Sequence, residues 1–126
     1  MPIKYYVNER STPFKPEEPK KWYAHTKSAG YANLKTLGEK IAQRSAVNSA
    51  DTQAVLAVLT EVLIEHLSDG EIVKLDNFGS FQVRIDSNGA EMATKFDASM
   101  IKNQKVVFRP GSELKMMLYN LEFEKV

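Results

Sequence analysis

The sequence predicts an α+β protein, and three patterns along its 126 residues support this fold class. Two stretches near the start alternate apolar and polar residues, which is the period of half-buried strands. The middle of the chain then changes to helical spacing over two consecutive segments. A pair of strands joined by a tight turn follows in KLDNFGSFQVR, residues 74–84, and a short helix comes after it.

The composition is that of a globular protein, with 43% hydrophobic and 26% charged residues, and it is too apolar for a disordered chain. The sequence has no cysteine, which excludes disulfides, thiol catalysis and cysteine metal sites. No apolar run approaches the ~20 residues of a membrane span. The start, MPIKYYVNER, lacks the apolar region of a secretory signal. We therefore expect a cytoplasmic protein with no membrane partner.

Charge is unevenly distributed along the chain, although the formal net charge is only +1. Lys and Arg outnumber Asp and Glu by six to three in residues 1–30 and by four to two in residues 87–109. Residues 31–86 reverse the balance, with five basic and eight acidic residues. Local basic patches steer a polyanion more effectively than the total charge does, so the two basic regions are the candidates for contacting one.

The first thirty residues predict two strands joined by a stiff connector. Residues 3–9 alternate apolar and polar positions, and residues 20–27 do the same. Between them, prolines 13, 16 and 19 recur at the three-residue interval of an extended polyproline helix. A rigid surface loop is the favoured interpretation, with a peptide-docking motif as the alternative. Three aromatic residues nearby are interpreted as cover for the sheet or the helices, with base stacking as the alternative: Trp22, Tyr23 and Tyr31.

Two helices follow. Asn33 is the predicted N-cap of a helix that runs to about Arg44, and Ser49 is the predicted cap of a second helix over residues 50–67. Apolar side chains of the second helix cover an arc of roughly 220°, wider than the ~100° stripe of an ordinary surface helix. This width predicts a dimer interface. The alternative is a central helix in a monomer, covered by the N-terminal strands. His66 lies within the arc and is predicted to be buried or at the interface.

The rest of the chain predicts a hairpin, an irregular excursion and a short helix. Gly70 is suited to a left-handed helix cap, and strands over residues 72–75 and 79–85 flank an Asp76-Asn77 turn. We expect Phe78 and Phe81 to anchor this hairpin to the helices. Residues 90–105 are irregular. The last predicted elements are a strand over 104–109, a helix from Ser112 to about Tyr119, and a strand in the tail NLEFEKV.

The order of these elements and two motifs resemble the bacterial histone-like HU and integration host factor family. The motifs are SADTQAVLAVLTEVLIEHLSDGEIVKLDNFGSFQVR and VVFRPGSELK, and the resemblance covers residues 33–119. It implies an intertwined homodimer with a helical base, made of two N-terminal helices and a short C-terminal helix, below a β-sheet saddle with a β-arm. Residues 32–126 would form this HU-like DNA-binding domain. Residues 1–31 would be an extension with two extra strands, as in the extended HU-like proteins of Bacteroidetes.

The resemblance also implies a function and a set of site residues. Family members bind the backbone and minor groove of double-stranded DNA with little sequence preference, bend the duplex, and are nucleoid-associated. By position, six residues would contact DNA: Arg84, Arg109, Lys105, Lys102, Lys95 and Lys115. Six others would lie in the dimer interface: Leu56, Leu59, Leu63, Leu67, Phe78 and Phe81.

One departure from the family leaves a second function open. The excursion IDSNGAEMATKFDASMIKNQ contains neither the arginines nor the proline of the family's arm. The alternative is therefore an HU-like structural or interaction module with little DNA affinity that binds a protein partner. No enzyme is expected, because the sequence offers no catalytic constellation, phosphate-binding glycine loop or metal-ligand spacing. We accordingly expect no cofactor, metal or small-molecule substrate.

Overall fold

The computed structural model describes residues 2–10 and 17–126, and it folds as two compact units. One unit consists of residues 1–32 and 117–126, and the other of residues 33–116. Pro13 and Pro16 lie outside the described residues, so the polyproline interpretation of the connector stays a prediction. In chain order the elements are β1 (Ile3–Arg10), β2 (Lys21–Thr26), α1 (Leu34–Arg44), α2 (Ser49–Ser68), β3 (Val73–Lys74), β4 (Gly79–Ser87), β5 (Ile101–Pro110), α3 (Ser112–Tyr119) and β6 (Phe123–Lys125).

The first unit is a three-stranded sheet in the order β2-β1-β6. β1 and β2 pair antiparallel, as the alternating patterns predict, and β6 pairs parallel with β1. The predicted strand in the tail is thereby confirmed. The Ile3 N–H donates to the Glu122 carbonyl at 2.8 Å at the start of this pairing. The tail was predicted to belong to the domain of residues 32–126, whereas in the structure its backbone hydrogen bonds join the tail to the N-terminal sheet. The division into domains at residue 31 stays a prediction.

The two helices begin and end at polar signals in the sequence. Asn33 accepts the Thr36 N–H at 2.9 Å, which confirms it as the N-cap of α1. The predicted cap of α2 was wrong by one residue: Asn48, in extended backbone, accepts the Asp51 N–H at 2.8 Å, and Ser49 is already helical. Gly70 follows α2 with φ +81°, as predicted. Its N–H donates to the Leu67 carbonyl and the Glu71 N–H donates to the His66 carbonyl, so the last turn of α2 is closed by backbone hydrogen bonds.

The second unit carries the sheet β3-β4-β5, with all pairs antiparallel. Asp76 adopts φ +44° in the turn between β3 and β4, and the Phe78 N–H donates to the Leu75 carbonyl at 2.8 Å. β4 and β5 are both longer than predicted. Their register shifts by one residue between Arg84 and Asp86, where Asn103 on β5 has φ +54°. This pattern is a β-bulge, which bends the pair and increases its twist.

Within the described residues, no hydrophobic side chain is buried in the single chain. The packing that does exist centres on three rings: Phe108 contacts Phe81 at 5.0 Å and Phe78 at 5.8 Å between centroids. Even so, Phe78 is 53% exposed and Val55 on α2 is 64% exposed. The predicted burial of His66 is not seen in the single chain, since its side chain is half exposed, with Nδ1 3.3 Å from a Glu71 carboxylate oxygen. The apolar arc of α2 therefore lacks cover within one chain.

Candidate nucleic-acid interface

Strand alternation divides the β3-β4-β5 sheet into an apolar face and a polar face. Directly opposed residues of an antiparallel pair project to the same side, and successive residues project to opposite sides. Phe81 is opposite Phe108 and Val83 is opposite Val106, so these four share the apolar face. The other face carries the residues between them. We call it the cationic face and define it by Lys74, Ser80, Gln82, Arg84, Lys105, Val107 and Arg109, of which Val107 is the one apolar residue.

The register brings the two arginines and Lys105 of the predicted DNA contacts onto this one face. Lys105 lies directly opposite Arg84, and Arg109 lies opposite Ser80. The two arginines are therefore four residues apart along the hairpin, or about 13 Å at the rise of a β-strand. The two arginines lie in a row along the hairpin, with Arg109 nearer the end of β5 that leads into α3. Arg84 and Arg109 therefore lie on different rungs and are not opposite each other, and their role at the base of the arm stays a prediction.

Two like charges at one rung of a sheet repel each other, and such a pair is destabilising. Arg84 and Lys105 form this kind of rung on the cationic face. An anion bound between the two side chains removes the repulsion and forms charge-assisted hydrogen bonds with both. Two opposed cations of this kind have the chemistry to pair with an anionic ligand such as a backbone phosphate.

A shallow cleft at the end of the cationic face contains three cations. Lys74, Arg109 and Lys115 line it, together with the carboxylate of Asp76. Lys115, predicted to contact DNA, therefore lies in the same cleft as Arg109, and its role in binding stays a prediction. Lys74 was missed by the sequence analysis. Alternation in β3 offered a signal, because Val73 faces the apolar side and its neighbour must then share the face of Ser80.

Hydrogen bonds from the β3–β4 turn fix the position of this cleft. Asn77 accepts the Ser112 hydroxyl through Oδ1 at 3.1 Å, and its carbonyl accepts the Glu113 N–H at 3.4 Å. The Phe78 carbonyl accepts the Gly111 N–H at 3.0 Å. A Cβ on Gly111 would overlap the Asn77 carbonyl, so glycine is required for this close approach. The turn therefore holds the start of α3, and with it Lys115, against the end of β5.

The excursion beyond the bulge holds the remaining two predicted contacts in a different setting. Lys102 lies opposite Asp86, so a carboxylate faces its ammonium across the strands. Lys95 ends a short 3-10 turn, Ala93–Lys95, outside the sheet. The Asn88 N–H donates to the Met100 carbonyl at 2.9 Å and closes the excursion at its base. Lys95 thus lies outside the sheet, whereas Lys102 shares the face of Asp86, which lies two residues beyond Arg84 on β4.

The residues predicted for the dimer interface divide between α2 and the hairpin. On α2, Leu56, Leu63 and Leu67 are half-buried in the single chain, whereas Leu59 is exposed. On the hairpin side, Phe81 is half-buried and Phe78 is exposed. All six side chains retain accessible surface, and their role at an interface stays a prediction. Within the described residues, no helix is long and apolar enough to cross a membrane.

Solved structures with a similar arrangement define the class of fold. The HU–DNA cocrystal structure from Anabaena has a TM-score of 0.55 at 22% identity, covering 71% of this chain and 99% of that chain. A putative bacterial DNA-binding protein from Bacteroides vulgatus has a TM-score of 0.64 at 12% identity, covering 98% of this chain. The match spans 48% of that longer chain. These likenesses show that the fold is an HU-like α+β fold, as predicted.

Sequence comparisons identify the family. The chain is 33% identical over 92 residues to integration host factor subunit alpha of Vibrio cholerae, covering 71% of this chain and 93% of that protein. Identity to the same subunit of Aliivibrio fischeri is 32% over 91 residues. A family described as "HU domain fused to wHTH, Ig, or Glycine-rich motif" matches residues 1–125. The chain belongs to this HU family, and the resemblance found in the sequence is confirmed.

Proposed function

We propose that this chain is a histone-like, nucleoid-associated protein that binds the backbone and minor groove of duplex DNA as a homodimer. The observation that carries the proposal is the cationic face, on which Arg84 and Lys105 oppose each other and Arg109 continues the row. Phosphate contacts of this kind carry no sequence information. Binding should therefore show little sequence preference and should weaken as salt rises, because bound phosphates release counterions.

The homodimer is supported by the large area of surface that one chain leaves accessible to solvent. The accessible surface of the single chain is 10854 Å². A compact monomer of 14.2 kDa exposes roughly 6,800 Å², and two separate compact units of these sizes expose roughly 8,000 Å². The excess is roughly 2,800–4,000 Å² per chain, whereas obligate homodimers bury roughly 1,000–2,500 Å² of each partner. A second copy that covers the apolar arc of α2 would therefore remove a large part of this excess.

The side chains of the excursion favour contact with DNA over strong bending of the duplex. Apolar wedges between base steps are what kink a duplex in minor-groove proteins. The side chains available here are Met92 and Phe96, which are 56% and 40% exposed. The carboxylate of Asp86 opposite Lys102 also reduces the attraction of this segment for phosphates. We therefore assign most of the affinity to the cationic face and only a minor share to the arm.

The test is a salt series of fluorescence anisotropy titrations with two unrelated duplexes. Arg84→Ala combined with Arg109→Ala removes four phosphate contacts from a two-fold dimer. The slope of log K against log salt should then flatten by roughly 3–4 units, at ~0.9 for each phosphate on duplex DNA. Affinity for both duplexes should fall by the same factor. Lys35→Ala combined with Lys40→Ala is the matched control, since it removes equal charge from α1 and should leave the slope nearly unchanged.

Two results would contradict the proposal. A parent protein that does not bind duplex DNA at low salt would favour the alternative, a structural module whose cationic face meets an acidic protein partner. Equal slopes for the double variant and the parent would show that the two arginines do not contact phosphates. A change in melting temperature of the double variant must be measured alongside, so that a loss of binding is not confused with a loss of folding.

A further inference from the structure

The N-terminal sheet separates the aromatic residues that the sequence grouped together. Trp22 and Tyr23 are neighbours on β2 and therefore project from opposite faces of the sheet. Tyr31 follows β2 and is fully exposed, outside any strand. A base-stacking surface made of these three residues is therefore not formed within this sheet. Tyr23 instead shares its face with a different set of side chains.

That face is built from four rungs of the β1–β2 pair, and we call it the platform face. Its two inner rungs are Tyr6 opposite His25 and Asn8 opposite Tyr23. One outer rung is Arg10 opposite Lys21. The other is Lys4 with Lys27, whose N–H donates to the Lys4 carbonyl at 2.8 Å and continues the ladder. Cations thus stand at both ends of the platform face, with aromatic rings between them.

The charge of the sheet is segregated between its two faces. Among the described residues of the sheet, one carboxylate shares the platform face with the four cations: Glu124, beside Lys4 on β6. The opposite face carries apolar residues such as Ile3 and Val7 together with two charged residues of the sheet, Glu9 and Lys125. The rung of Arg10 and Lys21 sets two cations directly opposite each other, which is destabilising, and the rung of Lys4 and Lys27 does so with Glu124 beside it. Both ends keep an excess of positive charge, so an anionic ligand that spans the face can pair with both.

The rings between the cations are accessible and suitably placed for stacking. Tyr6 and Tyr23 are 42% and 40% exposed. The Tyr6 and His25 rings lie 5.5 Å apart with an interplanar angle of 31°, so they form a nearly continuous patch. The Arg10 guanidinium lies 5.5 Å from the centre of the Tyr23 ring, and guanidinium planes also stack on bases. The outer rungs are about 20 Å apart at the rise of a strand, which is enough for several nucleotides.

We propose that the platform face binds a single-stranded nucleic acid, separately from the duplex interface. Unpaired bases would stack on Tyr6, Tyr23 and His25, and the strand's phosphates would pair with the cations of the outer rungs. This combination of a basic track and accessible rings is the one by which proteins hold single strands without sequence preference. A duplex does not fit it, because its bases are already stacked on each other. The inference extends beyond the proposed function and does not depend on it.

The experiment measures binding of the full-length protein to short labelled strands by fluorescence anisotropy. The probes are an oligothymidylate, an oligouridylate and an abasic strand of equal length, which keeps the phosphates and removes the bases. The parent should bind the base-bearing strands more tightly than the abasic strand. Tyr6→Ala combined with Tyr23→Ala should weaken binding by more than about 5- to 150-fold, since that is the range for one stacked base and two rings are removed, and should leave duplex binding unchanged. Tighter binding of either base-bearing strand identifies the preferred sugar.

Two further variants separate stacking from general effects. Trp22→Ala removes an aromatic ring that is 65% exposed on the opposite face of the same strand, and it should bind as the parent does. Tyr6→Phe combined with Tyr23→Phe keeps both rings and should retain binding. Equal affinity for the abasic strand, or equal losses in the Trp22 and tyrosine variants, would overturn the inference. Binding of single strands without binding of duplex DNA would support the platform face as a site and contradict the proposed function. Binding of duplex DNA without binding of single strands would support the proposed function and overturn the inference about the platform face.

Discussion

Arg84 lies directly opposite Lys105 in the β4–β5 pair, so two cations occupy one rung of the sheet. Opposed side chains in such a pair have Cβ atoms roughly 4.5–5.5 Å apart. On the proposed function this rung holds an anion, and like charges directly opposite each other are destabilising when no anion is bound. Residues that serve binding often lower the stability of a protein when its ligand is absent. A substitution in such a rung should therefore change the stability and the DNA affinity in opposite directions.

Lys105→Glu should raise the free energy of unfolding while it weakens duplex binding. The substitution converts a repulsive rung into an attractive one, and opposed charge pairs contribute roughly 0.2–1 kcal/mol. Urea denaturation at fixed protein concentration measures the gain, and anisotropy titration measures the loss of affinity. Adding Arg84→Glu to this variant restores two like charges and should cancel the gain. A Lys105→Glu protein that is less stable than the parent, or that binds DNA as well, would contradict the assignment of this rung.

Gly79→Ala should destabilise the protein strongly, because the site has neither the backbone conformation nor the space for a side chain. Gly79 has φ +147°, and an added Cβ would lie 2.5 Å from the Arg109 carbonyl oxygen and 2.7 Å from the Phe108 ring. Strained backbone and overpacking each cost about 1–3 kcal/mol. Gly89→Ala is the matched control, with open space around it, and should change stability by less than ~0.5 kcal/mol. Thermal and urea unfolding of both variants test the difference.

The parts of the fold that depend on local chemistry were the ones predictable from the sequence. Asn33 and Gly70 act within a few residues of themselves, so their capping roles could be predicted from residue type and position. The cap of α2 was misplaced because Asn48 and Ser49 are both good capping residues, and only the backbone shows which one precedes the first helical residue. The Phe78–Phe81 hairpin was also predictable, since alternation and turn residues define it.

Relationships between distant segments were not predictable in the same way. The tail strand β6 pairs with β1 from more than a hundred residues away, and nothing local specifies that pairing. Lys74 was missed as part of the basic cleft because alternation gives its face of the sheet, but only the folded structure brings it beside Arg109 and Lys115. The platform face was missed because it depends on the register of β1 against β2, and a shift of one residue would move every side chain to the other face.

Phe81→Ala should reduce stability and leave DNA affinity per folded molecule unchanged. The Phe81 ring packs at 5.0 Å from the Phe108 ring on the apolar face, opposite the cationic face. Phe81 is half-buried in the single chain, so the cost reaches about 3–5 kcal/mol if the homodimer buries the ring in its core. Tyr31→Ala, at a fully exposed ring, serves as the control and should leave the unfolding midpoint almost unmoved. An unchanged melting temperature together with lost DNA binding would mean that Phe81 contacts the ligand.

Leu63→Glu should yield unfolded or aggregated protein, and no stable folded monomer. Leu63 lies in the apolar arc of α2, where the single chain leaves even large side chains such as Val55 exposed. A carboxylate buried there between two copies would lack a partner, which is strongly destabilising, and obligate homodimers often have no stable monomer to fall back on. Ala57→Glu places the same carboxylate on the exposed polar side of α2 and should remain folded and dimeric. Sedimentation and circular dichroism distinguish these outcomes. A Leu63→Glu chain that sediments as a well-folded monomer would exclude the obligate dimer, because α2 would then be stable without a second copy.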